Sequence, residues 1–170
     1  MAWYRGARRP LDEAEKSTDA AKARARAMEL LAGQELSSGG LYERLNRRFA
    51  EQTAAAVVAE MVEREYVNDA RYAETRAHGL LAAKKSRRAA AQNLRQKGLS
   101  APQIEQALDT VYAADETGED PELEAAAALV ASRYRKKLDA GRRDLVVAAL
   151  MRRGFAYPVI RDAIQRVEQE

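Results

Sequence analysis

The chain has 170 residues, of which 46% are hydrophobic, only 6% aromatic and none cysteine. The apolar share must come mostly from Ala and Leu, which favour helix over sheet, and disulfides, thiolate chemistry and cysteine-based zinc sites are excluded. Charged residues make up 32% for a net charge of only +3, so their distribution matters more than their sum, and no apolar run approaches the ~18 residues a membrane span requires.

Residues 1–18 are polar, lack the hydrophobic segment of a signal peptide and read as a disordered or loosely attached tail, and the chain reads as cytoplasmic. A helical pattern over residues 19–34 carries Ala27, Leu30 and Leu31 on one face. A pair of helices follows, opened by Ser37 as an N-cap, with Leu41, Leu45, Phe49, Val58 and Met61 as its apolar positions. The next helix spans 69–83, with Tyr72, Ala73, Leu80 and Leu81 inward, and Ser86 caps the one after it. That helix ends in LRQKGLSAPQIEQAL, residues 94–108. Gly98 suits the left-handed position just past a helix end, Ser100 caps the following helix, and Pro102 is tolerated in its first turn. Ile104, Ala107, Leu108 and Val111 then fall at helical spacing.

Residues 113–124 (AADETGEDPELE) hold six acids and no base, and their centre, 115–120, reads as a solvated linker. A helix over 121–138 follows, carrying Leu123, Ala127, Val130 and Tyr134. The hairpin then recurs as LMRRGFAYPVIRDAI, residues 150–164, with Leu94/Leu150, Gly98/Gly154, Pro102/Pro158, Ile104/Ile160 and Ala107/Ala163 identical. A weaker copy over residues 45–58 aligns once a residue is dropped at the glycine, and each copy is preceded by one further helix. The predicted fold is therefore all-α: three tandem three-helix repeats, at 19–66, 67–114 and 121–170, forming an elongated curved rod.

Enzyme chemistry finds little to hold. His78 is the only histidine, in a stretch (TRAHGLL) that offers neither nucleophile nor orienting partner, so it reads as a helix-surface residue. No nucleotide-cradling glycine loop occurs, and the paired carboxylates lie in the acidic linker without apolar surroundings to raise a pKa. The chain reads as neither an enzyme nor a metal protein, with no cofactor and no small-molecule substrate.

The basic residues carry more. From Thr75 to Ile104 there is no acid, while Arg76, Lys84, Lys85, Arg87, Arg88, Arg95 and Lys97 supply seven positive charges. Arg88 and Arg95, seven residues apart, share a helix face with Gln92. A second basic stretch runs through Arg133, Arg135, Lys136, Lys137, Arg142, Arg143, Arg152 and Arg153, diluted only by Asp139 and Asp144. Such faces meet phosphates or an acidic protein groove. The second helix of the 94–108 hairpin is acidic and amphipathic, unlike a DNA recognition helix, and the aromatics are too sparse for a stacking platform.

Residues 63–100, EREYVNDARYAETRAHGLLAAKKSRRAAAQNLRQKGLS, resemble the signature region of the RecX family of recombination regulators. There a Gly-Tyr-Leu-Asp-Asp-x-Arg-Phe/Tyr-Ala element precedes a basic segment and a Leu-x-x-Lys/Arg-Gly-Leu/Phe hairpin. Tyr66, Val67, Asp69, Arg71, Tyr72 and Ala73 match the first part; Arg87, Arg88, Leu94, Lys97, Gly98 and Leu99 match the second. The third hairpin resembles the family's carboxy-terminal module. Glu65 stands where the family has glycine and Asn68 replaces the first Asp, while the first hairpin lacks a counterpart of Gly98 and Gly154. These are turn positions, so they bear on local geometry.

The resemblance implies a protein, expected to be a monomer, that binds the RecA nucleoprotein filament, touches single- or double-stranded DNA weakly, and inhibits recombinase, ATPase and co-protease activities. The partner- or DNA-facing candidates are Lys84, Lys85, Arg87, Arg88, Arg95, Lys97, Arg135, Lys136, Lys137, Arg142, Arg143, Arg152 and Arg153. Tyr66, Asp69, Arg71, Tyr72, Gly98 and Gly154 are expected to shape the joints, Asp69 by capping the fourth helix. A general nucleic-acid-binding helical protein and a structural adaptor without nucleic acid are the alternatives.

Overall fold

The structure is a computed structural model, described over residues 9–114, 116 and 118–169. The first eight residues of the expected tail, two residues of the expected linker (115 and 117) and residue 170 lie outside the described residues. Apart from one isolated bridge, the regular structure of the described residues is helical. The chain divides into two compact units, Met1–Asn68 and Asp69–Glu170.

The first unit contains α1 (Ala20–Gly33), α2 (Ser38–Asn46) and α3 (Glu51–Glu63). Asp19 caps α1 by accepting from Lys22 N at 3.0 Å, and Ser37 caps α2 by accepting from Gly40 N at 3.0 Å. The inward faces meet in one cluster that includes Ala23, Ala27, Leu41, Leu45, Phe49, Val57, Met61 and Val67. Leu41, Leu45 and Met61 are almost wholly buried, and each such side chain stabilises by roughly 1.5–3 kcal/mol.

The α2–α3 connection turns without glycine. It is closed by the amino-terminal segment: Ser17 N donates to Arg48 O and Ala50 N donates to Ser17 O, both at 2.9 Å. Ala50 has no side chain with which to cap α3, and the Glu13 carboxylate accepts from Glu51 N in its place, at 2.6 Å. Residues 9–18 are thus held against the first bundle, and their short 3₁₀ turn (Glu13–Glu15) serves as a remote cap.

The second unit holds α4 (Asp69–Ala82), α5 (Arg87–Gln96) and α6 (Ala101–Val111), followed by α7 (Pro121–Leu129), a π-helical turn (Val130–Tyr134), α8 (Arg135–Asp139), α9 (Arg143–Arg152) and α10 (Tyr157–Gln169). Two apolar clusters form. One gathers Ala73, Ala77, Ala90, Leu94, Ile104, Leu108 and Val111; the other gathers Ala126, Val130, Tyr134, Leu138, Val146, Leu150, Ile160, Ile164 and Val167. With the first unit's cluster this makes three three-helix bundles, as expected. The 121–138 helix is interrupted by its π turn. Ala126, Val130, Tyr134 and Leu138 recur every fourth residue, a series that drifts around a regular helix, and one wider turn keeps all four on the buried side.

Several helix ends follow one rule. Gly98, Gly141 and Gly154 take φ of +78°, +73° and +90°, and the following residue donates back to the preceding turn: Leu99 N to Leu94 O, Arg142 N to Lys137 O and Phe155 N to Leu150 O. Lys84 does the same without glycine, at φ +57°, with Lys85 N donating to Leu80 O. Glu65 also takes a positive φ, +58°, so the residue in the family's glycine position adopts the left-handed conformation that glycine accommodates. Ser100 and Gln103 form the capping box of α6, with Pro102 in its first turn.

Candidate partner-binding groove

Ser86, Glu122 and Gly154 make contacts that join the two bundles of the second unit. Ser86 is fully buried; its hydroxyl oxygen accepts from Ala89 N at 3.1 Å, capping α5, while its proton goes to Arg153 O at 2.9 Å. Glu122, in the first turn of α7, accepts from Arg87 N at 2.9 Å, so a carboxylate from one bundle sits at the amino terminus of a helix in the other. Gly154 packs on Ser86 so closely that an added Cβ would lie 2.7 Å from the hydroxyl oxygen. Burial pushes the Glu122 carboxyl above its ordinary value, against the opposing hydrogen bond from Arg87 N. Tyr112, whose hydroxyl donates to Lys85 O at 2.9 Å, is pushed up to about 12 by burial first and by the nearby Glu122 charge second.

Over this joint lies a groove of about 560 Å³. Its apolar lining comes from Ala91 on α5, Ile104 and Leu108 on α6 and Phe155 from the α9–α10 turn. Arg88 and Arg95 line the α5 wall, Glu105 the α6 wall. All three charged side chains are exposed, and among the described residues none of them forms a hydrogen bond or ion pair. The volume falls in the range of ligand clefts, and its open form suits a peptide or polymer better than a small metabolite.

The structure separates the sequence candidates by what they already hold. Arg87 donates to Leu108 O at 3.2 Å and to the Asp109 carboxylate at 2.6 Å, tying α5 to the end of α6. Arg135 donates to Val167 O at 2.8 Å and pairs with Asp139 at 3.3 Å. Arg143 pairs with Glu168 at 3.1 Å, Arg142 lies 3.8 Å from Asp144, and Arg153 donates to the Tyr134 hydroxyl at 3.1 Å. The Lys137 ammonium sits 5.9 Å from the centre of the Tyr134 ring. Lys84, Lys85, Lys136 and Arg152 form no hydrogen bond or ion pair among the described residues through their side chains, and Lys97 is exposed just past the end of α5. Only Arg87, Arg88 and Arg95 line the groove.

The joint candidates divide in the same way. Gly98 supplies the α5–α6 turn, and Gly154 the contact with Ser86. Tyr66 is 50% exposed, and its neighbour Val67 is the buried residue of that turn. Asp69 is the first residue of α4, a position later than a cap, and its carboxylate accepts a long bond from Gln103 Nε2 at 3.5 Å. Tyr72 packs on the α4–α6 cluster, and Arg71 is exposed on α4. Glu122 and Phe155 were not singled out by the sequence; Ser86 was visible only as a cap.

Residues 68–108, which span α4, α5 and most of α6, match the family model of the RecX second three-helix domain. These three helices are similar to the second three-helix domain of RecX. This bears out the resemblance carried by residues 63–100. The matched segment contributes Arg88, Arg95, Ala91, Ile104 and Glu105 to the groove, whereas Phe155 comes from the bundle that follows it. The crystal structure of RecX from Lactobacillus salivarius has the same fold, with a TM-score of 0.75 at 20% identity over 89% of this chain and 98% of that one. A crystal structure of regulatory protein RecX matches with a TM-score of 0.71 at 22% identity, over 89% and 72% of the two chains. No curated protein matches the chain.

Proposed function

We propose that the chain is a regulatory, non-catalytic protein of the cytoplasm that binds the RecA nucleoprotein filament as a monomer and inhibits its recombinase, ATPase and co-protease activities. The observation that carries this reading is the match to the RecX domain model over residues 68–108, in which two exposed guanidiniums without a partner among the described residues, Arg88 and Arg95, project from one face of α5. A helix face with cations that no internal acid has claimed is free to meet an external one. Arg152, Lys85 and Lys136 add further exposed charge in the same unit, and Lys84 adds a partly exposed one. No helix among the described residues is long and apolar enough to cross a membrane.

The test is ATP hydrolysis by RecA on single-stranded DNA, titrated with the chain. Turnover should fall as the chain approaches stoichiometric amounts, and Arg88→Glu/Arg95→Glu should weaken inhibition by about tenfold or more, as loss of central charged contacts does. Unchanged turnover at stoichiometric wild-type protein would refute the proposal. Binding to bare DNA separates the nucleic-acid reading: a protein neutralising about six phosphates loses affinity with a log–log salt slope near −5.

A further inference from the structure

The groove between the second and third bundles has a mixed character that a general polyanion site lacks. One wall carries Arg88 and Arg95, two helical turns and so about 10 Å apart along α5. The opposite wall carries Glu105, a carboxylate that repels a continuous run of phosphates, and the floor offers Ala91, Ile104, Leu108 and Phe155, to which a phosphate backbone brings nothing apolar. Negative charge towards one flank, positive charge towards the other and apolar side chains between them describe an amphipathic peptide helix.

We infer that this groove is a peptide-docking site whose occupant is an amphipathic helix of the protein partner, with acidic side chains spaced two turns apart facing Arg88 and Arg95, a basic side chain facing Glu105, and an apolar stripe on the floor. The inference deepens the regulatory reading by assigning the groove to protein and leaving any DNA contact to cations elsewhere, and only the identity of the partner as a filament protein rests on that reading. Docking there also contacts both sides of the Ser86–Gly154 joint, since α5, α6 and the α9–α10 turn all line the groove.

The probe is a fluorescein-labelled synthetic helix of about four turns, with leucines at helical spacing, two glutamates seven residues apart on one flank and a lysine on the other. It should bind the full chain, and Ala156→Trp, which fills the groove from an exposed lining position without changing charge, should weaken binding by about tenfold. Ala101→Trp fills it from the α6 side and should act alike; unaltered helicity in either variant shows that the fold is kept. Arg88→Glu/Arg95→Glu should also weaken binding, and a peptide with its charges inverted should bind wild type less well and that variant better. No binding, equal binding to the tryptophan variants, or an equal loss of bare-DNA affinity in those variants each overturns the inference. If the peptide binds as described while RecA hydrolysis is untouched by wild-type protein, the regulatory reading falls and the groove assignment stands.

Discussion

Gly154→Ala tests the joint between the bundles of the second unit. At φ +90°, alanine is strained by about 1 kcal/mol after allowing for its smaller entropy in the unfolded chain. Its Cβ would also meet Ser86 Oγ at 2.7 Å, so the hydroxyl must leave its place. That hydroxyl caps α5 through Ala89 N and bonds Arg153 O, and losing the cap and the buried bond costs about 1 kcal/mol each. The expected total is about 3 kcal/mol. Gly141→Ala supplies the control: its φ of +73° imposes the same kind of strain, but nothing lies within 4 Å of the added Cβ, so about 1 kcal/mol is expected.

Equilibrium urea unfolding of the full chain, followed by far-ultraviolet ellipticity, reads the difference, and faster exchange of the Ala89 amide locates it. Ser86→Ala alone should cost about 2 kcal/mol. The double variant Ser86→Ala/Gly154→Ala should cost about 3 and not the additive 5 kcal/mol, because the first change removes the atom that the second collides with. An additive double variant, or a Gly154→Ala no worse than Gly141→Ala, would refute the role given to this contact.

Three further outcomes are expected. Glu65→Gly and Lys84→Gly, each relieving a left-handed φ borne by an ordinary residue, should raise stability by about 0.5–1 kcal/mol, read as higher melting temperatures. Glu122→Gln keeps an acceptor for Arg87 N without the ionisation cost of burial. Because burial raises the folded pKa of Glu122 above its ordinary value of 4.5, wild type loses stability as pH rises through that range, so Gln should gain on Glu with rising pH and lose its advantage in acid, in urea titrations at several pH values. Glu13 has the opposite sign: hydrogen bonds from Lys16 and from Glu51 N lower its pKa, so its contribution is complete above 4.5 and lost as pH falls through the lowered value. Glu13→Gln should therefore be less stable than wild type at neutral pH and match it in acid.

Local rules made much of the fold legible. Ser37, Ser86 and Ser100 cap helices where the pattern places them, and Gly98 and Gly154 take the left-handed turns expected of them. What stayed hidden depends on residues distant in the chain. Nothing near Glu122 distinguishes it from its neighbours in an acidic run, yet it reaches Arg87, 35 residues away. Charge counting treated Arg87, Arg88 and Arg95 as equivalent, whereas Asp109 and the Leu108 carbonyl hold the first and leave the other two to solvent. The π turn was invisible because Leu123, Ala127, Val130 and Tyr134, the positions read from the sequence, satisfy an ordinary helix, and only the burial of Leu138 beyond them calls for the wider turn.

Both borrowed carboxylates follow from the same shortage. A hairpin of short helices exposes amino-terminal N–H groups at each turn, and side chains adjacent in sequence meet only some of them. At α3 the preceding residue is Ala50, which offers no acceptor, and Glu13 arrives from 38 residues upstream; at α5 Ser86 serves Ala89 N and Glu122 takes the remaining Arg87 N. The consequence differs because the surroundings do. Glu13 remains solvated beside Lys16, so its charge is stabilised; Glu122 is half-buried beside Tyr112, so its charge is penalised. This cap stands under the groove, where Arg87 and Glu122 both contribute to the lining. The junction that a docked helix would press on therefore includes a carboxylate whose charge is disfavoured by burial.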